Sequence, residues 1–302
     1  MTAATTEVRI NPLLEVSRDE LQRLVVDPIA SVQRVDGGLT NTIHRVTLQD
    51  GKVVAVKHYA EGREPFEAEL VTLTLLHGSL PVPDVVSVDE DHPAIVYRWI
   101  DGITFNELRR SQPPAAFASL AEPLGRLLAF LARTDATEPF ELQPILDRAY
   151  AQLTQGRCRE RIGAPLADAI KAGLEAAEPT LAWGSVCLVH GDFGGRNLLV
   201  QRAAGDRWRI TGVIDWEATS TGSPLFDLGS LFRYADRYDA AFRANFERGY
   251  READGTLPER WLLAARLIDA TWIIDALDEP HEVPGLHADC RTLLARLAAE
   301  LR

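Results

Sequence analysis

Lysine is nearly absent from this chain. Of its 32 basic residues only Lys52, Lys57 and Lys171 are lysines, and the rest are arginine. The basic residues are themselves outnumbered by 44 aspartates and glutamates, for a formal net charge of −12. An excess of that sign argues against a surface that coats nucleic acid or an anionic membrane. It would suit a cationic small molecule, or simply keep the chain in solution. Cysteine is scarce as well: Cys158, Cys187 and Cys290 stand far apart and make neither a disulfide framework nor a Cys-x-x-Cys metal pair. No apolar run approaches the roughly 20 residues that span a bilayer. The first 15 residues lack the basic patch and apolar run of a signal peptide. These absences lead to the expectation of a cytoplasmic protein, monomer or homodimer, with no nucleic acid or membrane partner.

What is present falls into two textures. Up to about residue 100 the pattern is β-rich. Val32–Val35 precedes the turn Asp36-Gly37-Gly38, Ile43–Leu48 alternates, Asp50-Gly51 signals a hairpin, and Val53–Val56 returns. Phe66, Leu70, Leu73 and Leu76 recur at helical spacing, and Gly78 and Pro81 stop the helix. Asp84–Val88 and Ala94–Ile100 read as two more strands. After Gly102 helices dominate: Leu120–Arg133, Ile145–Leu153, Leu166–Ala177, Phe242–Tyr250, Arg260–Leu277 and His287–Leu301. A β-like island interrupts them at Val186–Val189, Asn197–Val200 and Ile210–Ile214. Strands followed by helices predict an α+β arrangement rather than a doubly wound sheet: a β-rich lobe over residues 1–100 and a helical lobe over 101–302.

Two stretches carry the chemistry. In the first, an apolar strand runs into His190-Gly191-Asp192, and four residues later Asn197 opens another strand. In the second, an apolar strand ends in Asp215-Trp216-Glu217. A short turn through Gly205-Asp206 would bring Asn197 near Asp215. A carboxylate and an amide oxygen are hard ligands suited to Mg²⁺, with Asp192 placed on the preceding loop to receive a proton. Upstream, Lys57 ends an apolar strand, a setting in which so rare a residue invites a role.

His190-Gly191-Asp192-x-x-x-x-Asn197 followed by Ile214-Asp215-Trp216-Glu217 resembles the aminoglycoside phosphotransferase family, whose fold is similar to that of protein kinases. The resemblance extends over most of the chain. Gly37-Gly38-Leu39-Thr40-Asn41 resembles the family's phosphate-covering loop, Val54-Ala55-Val56-Lys57 its nucleotide-binding strand, and Glu69 the glutamate that pairs with that lysine; Glu67 is its rival two positions away, and Glu69 is preferred for its spacing to Leu73 and Leu76. The resemblance implies a bilobal, protein-kinase-like fold and a phosphotransferase using ATP or GTP with Mg²⁺. Asp192 would orient and deprotonate the acceptor hydroxyl, and Asn197 and Asp215 would hold the metal. Lys57, fixed by Glu69, would neutralise the α and β phosphates. Gly37, Gly38, Thr40 and Asn41 would cover the phosphates, and the backbone of Tyr97, Arg98, Trp99 and Ile100 would bind adenine. Glu217 would face the acceptor, and so would Asp269 and Trp272, unless the acids Asp269, Asp275, Asp278 and Glu279 serve only as a solvated face or as caps.

The chain also departs from the kinase pattern. It lacks a full Gly-x-Gly-x-x-Gly, and Gly194 stands where many protein kinases carry lysine. Asp-Phe-Gly, Ala-Pro-Glu and the P-loop are absent, which disfavours protein substrates and a regulated activation loop. The acceptor expected is therefore a small molecule. It is an aminoglycoside or related antibiotic in one reading, and choline, homoserine, methylthioribose or a sugar in another. A nucleotide-binding regulator without turnover is the rival of a different class, and the presence of all five key side chains weighs against it. Taken singly, Asp192, Asn197 and Asp215 are common turn formers. Jointly, with Lys57 and Glu69 upstream, they read as a site.

Overall fold

The computed structural model describes residues 11–36, 40–136, 138–205 and 207–301. Its contacts divide the chain into two compact units. The first comprises Met1–Ile103, Asn197–Gln201 and Ile210–Thr219; the second comprises Thr104–Arg196, Arg202–Arg209 and Ser220–Arg302. In chain order the elements begin with α1 (Arg18–Leu24), β1 (Ile29–Val35), β2 (Thr42–Leu48), β3 (Val53–His58), α2 (Arg63–Leu76), β4 (Val85–Asp89) and β5 (Ala94–Arg98). There follow β6 (Ile103–Thr104), α3 (Phe105–Ser111), α4 (Ala121–Leu131), α5 (Gln143–Gln155), α6 (Arg157–Ile162) and α7 (Ala164–Leu181). The remainder are β7 (Cys187–Val189), β8 (Leu198–Arg202), β9 (Trp208–Val213), β10 (Ser220–Gly222), α8 (Leu225–Phe232), α9 (Ala240–Glu252), α10 (Trp261–Asp278) and α11 (Pro284–Glu300).

The first unit is built on an antiparallel sheet in the order β1-β2-β3-β5-β4. The β2–β3 turn works as its sequence suggests. Gly51 takes φ 86°, the left-handed region open to glycine, and the Asp50 carboxylate accepts the Lys52 N–H at 2.9 Å. Both faces of the sheet are covered, which is why β3 is apolar along its length rather than alternating. On one face Leu21 and Val25 pack with Val46, Leu48, Val54, Val56 and Val96. On the other, Phe66 packs with Ala55, Tyr59, Ile95 and Tyr97. The first of these covers includes α1, which the hydrophobic spacing did not announce. Its start is fixed by a capping box between Ser17 and Glu20.

The second unit is helical, with the β7–β10 pair set among its helices. Here α8 lies so close to α10 that a side chain on Gly229 would collide with the backbone of Ala265. Leu225–Phe232 is buried on nearly every side, so the run shows no helical stripe to read from sequence.

Two predictions follow from this packing. Gly229→Ala, which must push α8 and α10 apart, is expected to cost about 2–3 kcal/mol, measurable as a fall of several degrees in Tm. The second concerns His44 and His58, which meet edge to face at 6.2 Å on β2 and β3. Burial holds the His44 imidazole below its ordinary value, and burial with the neighbouring His44 pushes His58 down to about 4. The unfolded chain therefore takes up protons first. The stability tied to a neutral His58 is full above pH 6.5 and is lost as pH falls toward 4. His58→Gln should gain on the parent chain across that window, as measured by denaturant midpoints at each pH.

Candidate active site

Within the first unit, β3 is a central strand. It places Lys57 between Ile43 of β2 and Ile95 of β5, with only 1% of the residue exposed. A buried ammonium is costly unless it is paired, and this one is paired three times. Its Nζ lies 2.6 Å from Glu69, 2.5 Å from Asp215 and 2.8 Å from Glu217. Burial alone would lower the Lys57 pKa. The carboxylates of Asp215, Glu69 and Glu217 outweigh that effect and hold it well above the usual lysine value.

Each partner is placed by local sequence. Glu69 shares the inner face of α2 with Phe66, Leu73 and Leu76. Its alternative, Glu67, lies at the surface against Arg63. Asp215 follows β9 in a left-handed conformation, φ 69°, unusual for a residue other than glycine. The turn is anchored next door, where buried Trp216 donates its indole N–H to the Val213 carbonyl at 2.8 Å. Two backbone bonds locate the end of β9. Val213 N–H donates to Pro81 at 2.7 Å, and Ile214 N–H donates to the carbonyl of Asn197 at 2.9 Å. Asn197, nearly buried, thus sits beside the residue that precedes Asp215.

Glu217 departs from expectation. It does not serve an acceptor rim, because its carboxylate takes the Lys57 ammonium and accepts from Thr40 Oγ1 and Asn41 Nδ2. Burial raises its pKa, and the nearby Asp215 adds to the effect. Thr40 and Asn41 are therefore tied to the lysine site, whereas Gly37 and Gly38 lie outside the described residues. The Tyr97–Ile100 expectation is also narrowed. Arg98 N–H is bound to the Asp84 carbonyl and Trp99 N–H to that of Val53, so neither is free to donate to a base. Tyr97 is a core residue. Sequence reading also missed Tyr59, whose hydroxyl donates to Glu69 at 2.6 Å and whose ring lies 4.9 Å from Lys57 Nζ. Its place two residues after Lys57, on the same face of the chain, was the available signal.

Glu69, Asp215 and Glu217 also bring ligand oxygens within 4.8 Å of one another, but the Lys57 ammonium already occupies their centre. Asp215, whose side chain is 40% exposed, and the buried Asn197 are the hard-oxygen residues that the sequence assigned to a divalent ion.

In the second unit, β7 leads into the loop that carries Asp192. Buried Asp227 of α8 fixes the start of that loop, accepting the N–H groups of His190 at 2.8 Å and Gly191 at 3.1 Å. His190 is fully buried and its Nδ1 accepts the Asp192 N–H at 3.3 Å, so the imidazole supports the loop. Asn106 N–H holds the Gly195 carbonyl at 2.9 Å. The Asp192 carboxylate remains partly open to solvent, with Arg196 Nε 4.0 Å away. Burial raises the Asp227 carboxyl to about 6, against the pull of His190. An aspartate inside the otherwise apolar run Leu225–Phe232 was the trace of this anchor in the sequence.

The expected acceptor residues divide here. Asp269 is not a free rim carboxylate: it is 5% exposed and grips Arg233 through two bonds of 2.9 and 2.8 Å. Burial would lower the Arg233 pKa, but Asp269 outweighs it, with a smaller contribution from Asp192. Trp272 is open to solvent at 42%, with the Arg233 guanidinium 4.3 Å from its ring centre.

Hygromycin-B 4-O-kinase of Escherichia coli is 28% identical over 203 residues, covering 60% of this chain and 55% of that protein. The match thus spans about half the length of the curated relative. Among solved structures, aminoglycoside phosphotransferase APH(4)-Ia superposes with a TM-score of 0.64 at 18% identity, over 91% of this chain and 94% of that one. Choline kinase LicA from Streptococcus pneumoniae gives 0.64 at 15% identity, over 90% and 94%. These similarities give the fold, which is protein-kinase-like. Residues 31–263 match the model of the phosphotransferase enzyme family, and the chain belongs to that family.

Proposed function

We propose that this protein transfers the terminal phosphoryl group of ATP or GTP to a hydroxyl of a small molecule. The observation that carries the reading is Lys57, a fully buried ammonium held by three carboxylates next to Thr40 and Asn41. Such a charge, fixed in advance, suits the α and β phosphates of a nucleotide. Asp215 and Asn197 would hold Mg²⁺, which when bound screens the phosphate charge. Glu69 keeps Lys57 extended. Asp192, anchored through its loop to Asp227, orients the acceptor hydroxyl and takes its proton.

The acceptor we favour is carbohydrate-like, an aminoglycoside in the first instance, as in the name of the curated relative. Trp272 supports a ring acceptor, since an exposed indole stacks well on a sugar face. A quaternary ammonium such as choline is less suited to that ring, because the Arg233 guanidinium already lies against it. The buried, unpaired cysteines agree with a reducing compartment.

The test is a mass-shift assay for phosphorylated product with Mg-ATP or Mg-GTP against a panel of aminoglycosides, sugars, choline and homoserine. A phosphorylated member supports the reading. Nucleotide binding without any transfer would favour a regulator. Asp192→Ala is expected to lower transfer by about a hundredfold or more while nucleotide affinity, read by calorimetry, stays within a few-fold. Asp215→Ala is expected to weaken Mg-nucleotide binding as well. A pH profile tests the anchor. Ionised Asp227 accepts both N–H groups, and its protonation below about pH 6 disturbs them. Accordingly kcat should fall as pH drops through 6, and Asp227→Asn should be slower and lose that limb.

A further inference from the structure

One face of α8 is turned toward the loop that bears Asp192. Asp227 on that face holds the loop's first N–H groups, and Ser230 lies one turn further on. The Ser230 hydroxyl is buried and makes no hydrogen bond among the described residues. That is unusual, because a serine inside a helix can bond back to the carbonyl four residues earlier. Here the hydroxyl faces the space over Gly194. A Cβ on Gly194 would stand 3.7 Å from Ser230 Oγ and 3.6 Å from Asp192 Oδ1. Both oxygens thus lie within van der Waals reach of the one point that a side chain on residue 194 would take.

We propose that Ser230 is a positioning residue for Asp192: its hydroxyl donates through one water, seated over Gly194, to the Asp192 carboxylate. The inference rests on the reading of Asp192 as the base of a phosphotransfer. It gives a physical reason for glycine at 194, where protein kinases carry lysine. A methyl group there would take the place of the water. Held in this way, the Asp192 carboxylate is fixed in orientation toward the acceptor hydroxyl. A donor to the charged form also favours the ionised carboxylate.

The test uses the full chain labelled with ¹³C at the aspartate carboxyl carbon, with the Asp192 resonance identified by its loss in Asp192→Asn. In Ser230→Ala the Asp192 carboxyl should titrate roughly half a unit higher or more, and Ser230→Thr should restore it. Gly194→Ala should give the same displacement, and the double variant should add nothing to either. Kinetics with Mg-ATP, using water and separately hygromycin B as acceptor, should show kcat down by about tenfold in Ser230→Ala with KM for ATP unchanged. Thermal unfolding should stay close to the parent midpoint, which separates lost positioning from lost folding. An Asp192 resonance that titrates identically in parent and Ser230→Ala overturns the proposal, as do strictly additive effects of the two variants. Undiminished transfer in Asp192→Asn would instead overturn the reading of Asp192 as the base.

Discussion

A buried ammonium among three carboxylates is the constraint on which the first unit depends. Lys57 cannot leave β3 without abandoning Glu69, and Glu69 cannot leave Lys57 without exposing a buried negative charge. Asp215 and Glu217 complete the cage from the segment after β9, which explains why a stretch whose Asp215 lies 158 residues beyond Lys57 belongs to the same compact unit. Three carboxylates around one ammonium leave the cluster short of positive charge. On the function proposed above, Mg²⁺ would supply the balancing charge, held by Asp215 and Asn197.

The second unit solves the opposite problem with the opposite means. Asp227 is a buried carboxylate that burial raises to about 6 against the pull of His190. It is held by backbone N–H groups, which carry no net charge and cannot titrate. A lysine cage gives strong charge in a fixed place. A carboxylate on backbone N–H groups gives a fixed loop, which suits the proton exchange proposed for Asp192. The glycine contact between α8 and α10 serves the same end: bringing the helices together stiffens the platform on which Asp227 stands.

The parts of the fold that were legible in the sequence are those set by local chemistry. The Asp50-Gly51 hairpin, the apolar face of α2 and the run into His190-Gly191-Asp192 each state their geometry within about ten residues. The choice of Glu69 over Glu67 followed from Leu73 and Leu76, which fix the helix face. Other features were not local. The apolar stripe of α1 is too short to register, and α8 is buried all round, so neither shows a period. Glu217 and Asp269 were read as chemically apt carboxylates, but sequence does not say which cation a carboxylate will meet. One found Lys57 and the other Arg233. The two backbone N–H groups at Arg98 and Trp99 were likewise spoken for by neighbouring strands that no dipeptide pattern reveals.

That last distinction bears on how the acceptor is recognised. A chain with net charge −12 and a run of acids on its penultimate helix invites the idea of attraction to amines. The bonds on α10 argue otherwise for this group. Asp269 is neutralised by Arg233, Asp275 receives Arg148 and Gln152, and Asp278 caps the N–H of Cys158. These acids hold helices together and have little charge left to offer a ligand. Trp272, alone of the residues expected on this helix, keeps a large surface open. If the proposed acceptor meets this helix, it would meet an open indole rather than unpaired carboxylates.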